Sequence, residues 1–544
     1  MPVMPRTSRP SSAWSRLVAL ALIAGTVPHP ARAGAPPPRA VRLDWSRPGP
    51  PVDRFFDLAI GADYPGTLIR PDTQAQLKTA VNELGFRTIR FHAIFHDVLG
   101  TVQQRDGQIR YDWSGIDRLY DQLLASGIRP FVELGFTPSA LRSSDQQIFW
   151  WKGNTSHPRP APWRDLVRAF VEHLRERYGA EEVRGWRFEV WNEPNLDGFW
   201  ERADQQAYFA LYRDTALVLK AIDPGLQVGG PATAGAAWVP EFLAFARQTD
   251  TPVDFVTTHS YGVDGGFLDE DGKADTRLSA DPLAVIRDVR NVRAQIDSSP
   301  YRGIPLYFTE WSTSYTPRDF VHDSYVSAAY ILDRLAGTAG YAQAMSYWTF
   351  TDLFEEPGPP PTPFHGGFGL MNREGIRKPA WFAYKYLAAL KGLRLASADS
   401  AVMAARDGQS LSAVAWDWQQ PRQSVSNTPF FGRLHPSTPS RPLALELTGV
   451  PAGRYRLLVH RTGYRANDAF SAYIAMGKPA SLNPRQLARL QAITADRPER
   501  QRLLRVSGRG VVRTTVAMRS NDVVLIRLVP VGPATRRGPA APRR

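Results

Sequence analysis

The chain has 544 residues, 43% of them apolar, carries a formal net charge of +14 and contains no cysteine. That length and apolar content support a large core and more than one domain. The lack of cysteine excludes disulfides, cysteine-ligated metals, a cysteine nucleophile and an acylated lipoprotein anchor.

In chain order, Arg6, Arg9 and Arg16 precede an apolar stretch from Leu17 to Val27, and Ala31-Arg32-Ala33 follows just ahead of Gly34. This is the pattern of a secretory signal peptide over residues 1–33, too short to span a bilayer. Its removal with Arg32 lowers the net charge of +14 to about +10. The remaining arginines are scattered, with no basic run and no nucleic-acid motif, so they read as a solvated surface. Residues 34–52 form a leader rich in Pro and Arg, within which Ala40–Trp45 reads as a strand.

From Phe56, short apolar runs alternate with helical patterns. Strands are expected at Leu58–Gly61, Thr88–Phe91, Arg129–Leu134, Arg187–Trp191, Gln227–Gly229, Phe255–His259, Leu306–Thr309 and Met345–Phe350. Helices are expected at Asp72–Leu84, Asp112–Ser126, Trp163–Tyr178, Asp204–Asp223, Val239–Arg247, Pro282–Ser298, Tyr325–Gly337 and Lys378–Leu390. Eight strands alternating with helices give an α/β chain with a (β/α)8 TIM barrel over residues 53–392. An open doubly wound sheet competes, but no Gly-rich phosphate loop follows the first strand.

Beyond Leu390 the pattern changes to short alternating runs at Ala413–Trp418, Leu443–Leu447, Arg454–His460, Val511–Val516 and Asp522–Leu528, interrupted by one helix over Asn483–Ala495. These predict an accessory C-terminal β-sandwich over residues 393–530, to which the leader can add a strand. Residues 531–544 read as a disordered basic tail.

Two carboxylates stand out. Glu193 follows the fourth strand in W-R-F-E-V-W-N-E-P-N, and Glu310 follows the seventh in I-P-L-Y-F-T-E-W. A barrel carries its active site at the carboxyl ends of its strands, and strands four and seven face one another across the mouth. Pro194 predicts an extended backbone at Glu193. Asn192 sets an amide beside it, and Trp186, Phe188, Trp191 and Phe199 supply aromatic faces of the kind that stack on sugar rings. Paired carboxylates are the requirement of glycoside hydrolysis, with retention at about 5–5.5 Å and inversion at about 6.5–9.5 Å. The charge on the nucleophile is expected to help keep its partner protonated.

The stretch F-E-V-W-N-E-P-N-L together with F-T-E-W-S-T-S-Y resembles glycoside hydrolase family 39. Further matches to its bacterial β-xylosidase-like members are F-R-T-I-R-F-H, W-T-F-T-D-L-F-E-E and N-D-A-F-S-A-Y-I-A-M-G, and the likeness runs from Trp45 to Leu528. The resemblance implies Glu193 as acid/base and Glu310 as nucleophile of a retaining mechanism. It implies that Asn192 bonds the sugar 2-hydroxyl, that His259 and Tyr261 hold the nucleophile, and that His92 touches the same sugar. Trp348 would form the floor, Glu355 and Glu356 would bond ring hydroxyls, and Phe136 would be a wall. The loop Pro357–Gly369 would close the pocket behind one terminal sugar.

Each assignment has a structural competitor. His92 and His259 could be satisfied core histidines, Tyr261 a strand cap, Trp348 and Phe136 core packing, Glu310 a buried partner of an arginine, and Glu355-Glu356 a solvated acidic turn. No metal-ligand spacing such as H-E-x-x-H occurs, so no metal or other cofactor is expected. The expected activity is exo release of β-D-xylose from small xylo-oligosaccharides, with no nucleic acid and no membrane insertion after signal cleavage. The alternatives are an α-L-iduronide, an α-L-arabinoside or an exopolysaccharide as substrate, or a non-catalytic carbohydrate-binding protein.

Overall fold

The computed structural model describes residues 37–508 and 510–532. The expected signal peptide, and the expected tail beyond Gly532, lie outside the described residues. Among the described residues no helix is long and apolar enough to cross a membrane.

Eight parallel strands close into a barrel. They are β1 (Ala59–Ala62), β2 (Thr88–Phe91), β3 (Arg129–Leu134), β4 (Arg187–Val190), β5 (Gln227–Thr233), β6 (Phe255–Tyr261), β7 (Leu306–Ser312) and β8 (Ala344–Tyr347). A long helix follows each: α1 (Pro71–Leu84), α2 (Ser114–Ala125), α3 (Pro160–Tyr178), α4 (Gln205–Ile222), α5 (Val239–Gln248), α6 (Ile286–Asp297), α7 (Val326–Thr338) and α8 (Pro379–Ala388). Tyr347 of β8 pairs with Ile60 of β1 and closes the ring. The strands read as apolar runs because helices cover them outside and side chains fill them inside. Phe131, Phe255 and Tyr307 plug the amino end with edge-to-face and tilted ring contacts.

Strands β5, β6 and β7 run further than their apolar stretches predict, because barrel neighbours satisfy the backbone beyond the last apolar side chain. Glu310 therefore lies inside β7 rather than past its end. The ladder between β7 and β8 shifts register between Phe308 and Trp311. Such a bulge re-aims side chains, and here successive residues Thr309 and Glu310 both reach the barrel interior.

The rest of the chain builds two sheets. A seven-stranded sheet has the order Pro48–Pro51, Leu393–Leu395, Val402–Asp407, Ser410–Trp416, Val523–Pro530, Gly453–Thr462 and Arg500–Val506. A three-stranded sheet joins Arg39–Asp44, Pro439–Val450 and Gly510–Arg519. The two share one apolar core that includes Val41, Leu43, Leu445, Leu457, Val516 and Ile526. The opposite face of the larger sheet packs on the barrel through Ala405, Val414, Trp416, Val523 and Leu525. Besides the expected helix, seen at Pro484–Ile493, helices form at Asn427–Phe431 and Ala469–Ala475. The leader strand Arg39–Asp44 runs parallel to the central strand of the smaller sheet, Arg39 opposite Leu443.

Candidate active site

Under the barrel mouth sits a buried arginine. Arg90, on β2, donates from Nε to Glu189 Oε2 at 2.5 Å, from Nη1 to Glu310 Oε1 at 2.7 Å and from Nη2 to Asn192 Oδ1 at 2.7 Å. Its Nη2 also lies 3.0 Å from Glu133 Oε2. A planar fork of five donors can serve several acceptors in fixed directions, which an ammonium cannot. Sequence reasoning missed Arg90, Glu133 and Glu189. The available signal was alternation: Arg90 precedes His92 by two residues on a strand and so shares its inward face.

Two hydrogen bonds hold Glu310. Besides Arg90, Tyr261 donates its hydroxyl to Glu310 Oε2 at 2.7 Å. In both bonds a Glu310 oxygen is the acceptor. Glu310 is thus the partner of a buried arginine, as the competing view held, and that pairing is compatible with the expected nucleophile role.

His259 departs from expectation. Its Nδ1 is 2.8 Å from Glu193 Oε1 but 3.7 Å from Glu310 Oε2, so it serves Glu193 rather than the expected Glu310. Its Nε2 is 3.2 Å from Thr309 Oγ1, and the Thr309 hydroxyl donates to Glu189 Oε1 at 2.7 Å. Having donated there, Thr309 accepts from Nε2–H. Burial lowers the His259 pKa to about 4, so the ring is neutral and Nδ1 is left as an acceptor. In that tautomer Nδ1 can bond Glu193 only as the acceptor of a proton carried by the carboxyl. Burial pushes Glu193 up to about 7, with Glu133 adding to the rise and His92 and Arg90 opposing it. Desolvation, not the charge of Glu310, is the main cause.

The backbone of Glu193 is also not extended: its φ is 45°, and its N–H donates to Ala232 O at 2.8 Å. This tie to the end of β5 overrides the preference that Pro194 imposes.

The carboxylates open into a cleft of about 580 Å³ that is also lined by His92, Asn192, Tyr261, Trp348 and Glu356. Burial opposes charge on His92, but Glu133 at 2.8 Å, Glu356 at 3.3 Å and Glu310 at 3.8 Å hold its pKa well above the usual imidazole range. Burial raises Glu356 to about 7 against the pull of His92. Asn192, oriented by Arg90, keeps a buried Nδ2 with no partner among the described residues. Trp348 fits because β1 carries Gly61 beside it: a Cβ there would lie 2.4 Å from the indole Cε3.

Two expected site residues stand elsewhere. Glu355 turns out of the cleft and pairs with Arg70 at 2.8 Å, while its N–H donates to Asp63. Adjacent residues in a turn point apart, so one acidic pair gives one cleft carboxylate. Phe136 is buried behind His92, ring centroids 6.0 Å apart, and does not line the cleft. Trp186, Phe188 and Trp191 are core residues, and of that aromatic set only Phe199 lines the cleft.

From the Pro-rich loop, Phe368 lines the cleft. An ionic cradle clamps the loop's glycines: Lys378 Nζ meets Asp323 at 2.7 Å, Asp352 at 3.0 Å and Gly367 O at 2.7 Å, while Asp323 and Asp352 accept from Gly366 and Gly369 N–H, each at 2.7 Å. Gly366 has φ 78°, and a Cβ on it would come within 2.5 Å of the Arg318 and Asp319 backbone.

One oxygen of Glu193 and one of Glu310 lie within 4.8 Å of each other. A closed parallel barrel with two facing carboxylates at the ends of strands four and seven has the architecture of a glycoside-cleaving enzyme. The model of the glycosyl hydrolases family 39 matches residues 39–511, and the chain belongs to that family. It is 41% identical over 370 residues to a β-xylosidase of Geobacillus stearothermophilus, an alignment covering 66% of this chain and 73% of the relative. A monomeric β-xylosidase structure from Caulobacter crescentus CB15 superposes with a TM-score of 0.89 at 66% identity, over 91% of this chain and 100% of that one. A GH39 enzyme from Xanthomonas axonopodis pv. citri gives 0.91 at 64% identity, over 92% and 100%.

Proposed function

We propose that this chain is a retaining, exo-acting β-xylosidase that releases β-D-xylose from the non-reducing end of small xylo-oligosaccharides. The observation that carries the mechanism is the approach of Glu193 and Glu310 within 4.8 Å. So close an approach favours the short separation of retaining enzymes, about 5–5.5 Å, over the about 6.5–9.5 Å of inverting ones. The substrate reading rests on the β-xylosidases to which the chain is similar.

In the first step Glu310 attacks the anomeric carbon, and Glu193 gives its proton to the leaving oxygen. The C–O bond breaks and a glycosyl ester forms. Esterification removes the charge on Glu310, so Arg90 is less compensated and acts more strongly on Glu193, favouring its ionised form. Glu193 then takes a proton from water, which attacks the ester, and Glu310 leaves as carboxylate. The Asn192 Nδ2 donates to the 2-hydroxyl, His92 and Glu356 bond ring hydroxyls, and Trp348 lies under the ring.

Curated relatives also include α-L-iduronidases, such as the mouse enzyme at 24% identity over 461 residues. The substrate of such an enzyme carries a carboxylate. Among the described residues no Lys or Arg lines the cleft, and Glu356 does, which opposes a uronate. Of the acidic pair only Glu356 stands in the cleft, since Glu355 faces away.

The shared core of the two sheets supports a β-sandwich accessory domain over residues 393–530, completed by the leader. The pattern of residues 1–33 supports export to the periplasm or medium. Hydrolysis of an aryl β-xyloside, with NMR of the anomer first released, tests the reading. Retained β-xylose is expected; α-xylose as first product, or undiminished hydrolysis by Glu310→Ala, would overturn it.

A further inference from the structure

The cross-strand register of the larger sheet sets Arg454 directly opposite Arg505, and Arg456 opposite Leu503. All four side chains share one face, because residues directly opposite in an antiparallel pair do. The face is opposite to the one that buries Tyr455 and Leu457. The three arginines are exposed, Leu503 is 60% exposed, and among the described residues no carboxylate pairs with any of the three. Like charges directly opposite are destabilising in a sheet. Local sequence adds no relief: residues 451–467 and 500–521 contain no Asp or Glu.

The same face continues inward. Leu458 is opposite both Gln501 and Arg527, and Arg527 lines a groove of about 380 Å³ between the sheet and α8. Lys385 and Lys391 line it too. Its acidic residues are Glu83, already paired with Arg377, and Asp407; Lys385 is paired with Asp496. Cationic groups remain in excess along the whole face.

We propose that this face binds a xylan chain bearing uronate branches, holding the polymer while the barrel trims free ends. The substrate class rests on the β-xylosidase reading. Neighbouring arginines stand about 5 Å apart across strands and about 7 Å along one. That is a spacing of single charges which guanidinium forks can meet with separate carboxylates. Leu503 between them offers an apolar contact to a sugar face. A single nucleic-acid strand would stack its bases on exposed aromatic rings, and the described residues of this face provide none; a duplex, held by its phosphates alone, is an outcome of the test.

The test is affinity electrophoresis of the full chain in gels containing glucuronoxylan, the same polymer after carboxyl reduction, or neutral arabinoxylan, with duplex DNA as competitor. Retardation is expected with glucuronoxylan only, weakening in high salt and falling about tenfold in Arg454→Gln/Arg456→Gln/Arg505→Gln. A thermal melt of that variant equal to wild type keeps the comparison valid, and its aryl xyloside hydrolysis should be unchanged. Equal retardation of variant and wild type, retardation by the carboxyl-reduced polymer, or tighter binding of DNA would each overturn the proposal. Failure to cleave xylosides would instead sink the catalytic reading and leave this binding result standing.

Discussion

His259 Nδ1 lies 2.8 Å from Glu193 Oε1 and 3.7 Å from Glu310 Oε2, so the imidazole attends Glu193 and not Glu310. Because its Nε2–H is committed to Thr309, an ionised Glu193 would face a bare nitrogen lone pair. The contact thus penalises loss of the Glu193 proton and rewards its recovery.

The pH profile should report this. In the proposed mechanism Glu193 must be protonated to act first as acid, and its pKa is pushed up to about 7. For an aryl β-xyloside, kcat/KM is expected to fall about tenfold per pH unit above about 7. With a good leaving group that needs no acid, the remaining activity of Glu193→Gln should show no such alkaline limb.

Thr309→Val tests the relay itself. Without the hydroxyl, Nε2 loses its acceptor and the ring is free to place its proton on Nδ1, where it donates to an ionised Glu193. The alkaline limb is expected to move to lower pH, with KM little changed. A limb that stays in place would show that the Thr309 contact does not set the tautomer.

Arg90 compensates three buried carboxylates: Glu133, Glu189 and Glu310. Arg90→Met leaves them facing each other, at a cost of about 3–5 kcal/mol of stability. Urea denaturation should show that loss. Arg90→Lys is expected to recover only part of it, because an ammonium cannot reproduce the fork.

Gly61→Ala places a methyl 2.4 Å from the Trp348 ring, with Tyr347 O at 3.1 Å on another side. The indole must shift, at about 1–3 kcal/mol of overpacking strain. Catalysis should suffer more than stability: kcat/KM is expected to drop at least about tenfold, since a small misplacement of a positioning group is costly. Parallel kinetics and thermal melts check the comparison.

Stability should depend on pH through the same cleft. Glu193 and Glu356 rise from the usual 4.5 to about 7 on folding, so the native state binds their protons more tightly than the unfolded chain. The stabilisation is fully present below about 4.5 and is lost as pH rises through about 7. Between those limits each group tilts stability downward by up to about 1.4 kcal/mol per pH unit. Glu193→Gln/Glu356→Gln should flatten that part of the curve, measured by urea midpoints from pH 4 to 8.

The barrel was legible because strands buried on both faces read as apolar runs, and Glu193 and Glu310 because a carboxylate closes two such runs. The charged interior was not legible: Arg90, Glu133 and Glu189 look like surface residues until barrel closure buries them together. The split between Glu355 and Glu356 follows from turn geometry, which has no periodicity to read. Phe136 and the Glu193 backbone were misjudged because contacts from distant segments, His92 and Ala232, decide them. Arg500–Val506 was missed as a strand because its edge position lets arginines fill both faces.

The leader strand has a consequence for how the molecule is made. Arg39–Asp44 is synthesised ahead of the barrel, yet Leu443, its partner for Arg39, follows roughly 400 residues later. The whole barrel lies between the two halves of that pairing. Docking of the leader is therefore a late, long-range event that waits on the sheet strand to receive it, and it ties the start of the described chain to a segment made after the barrel is complete.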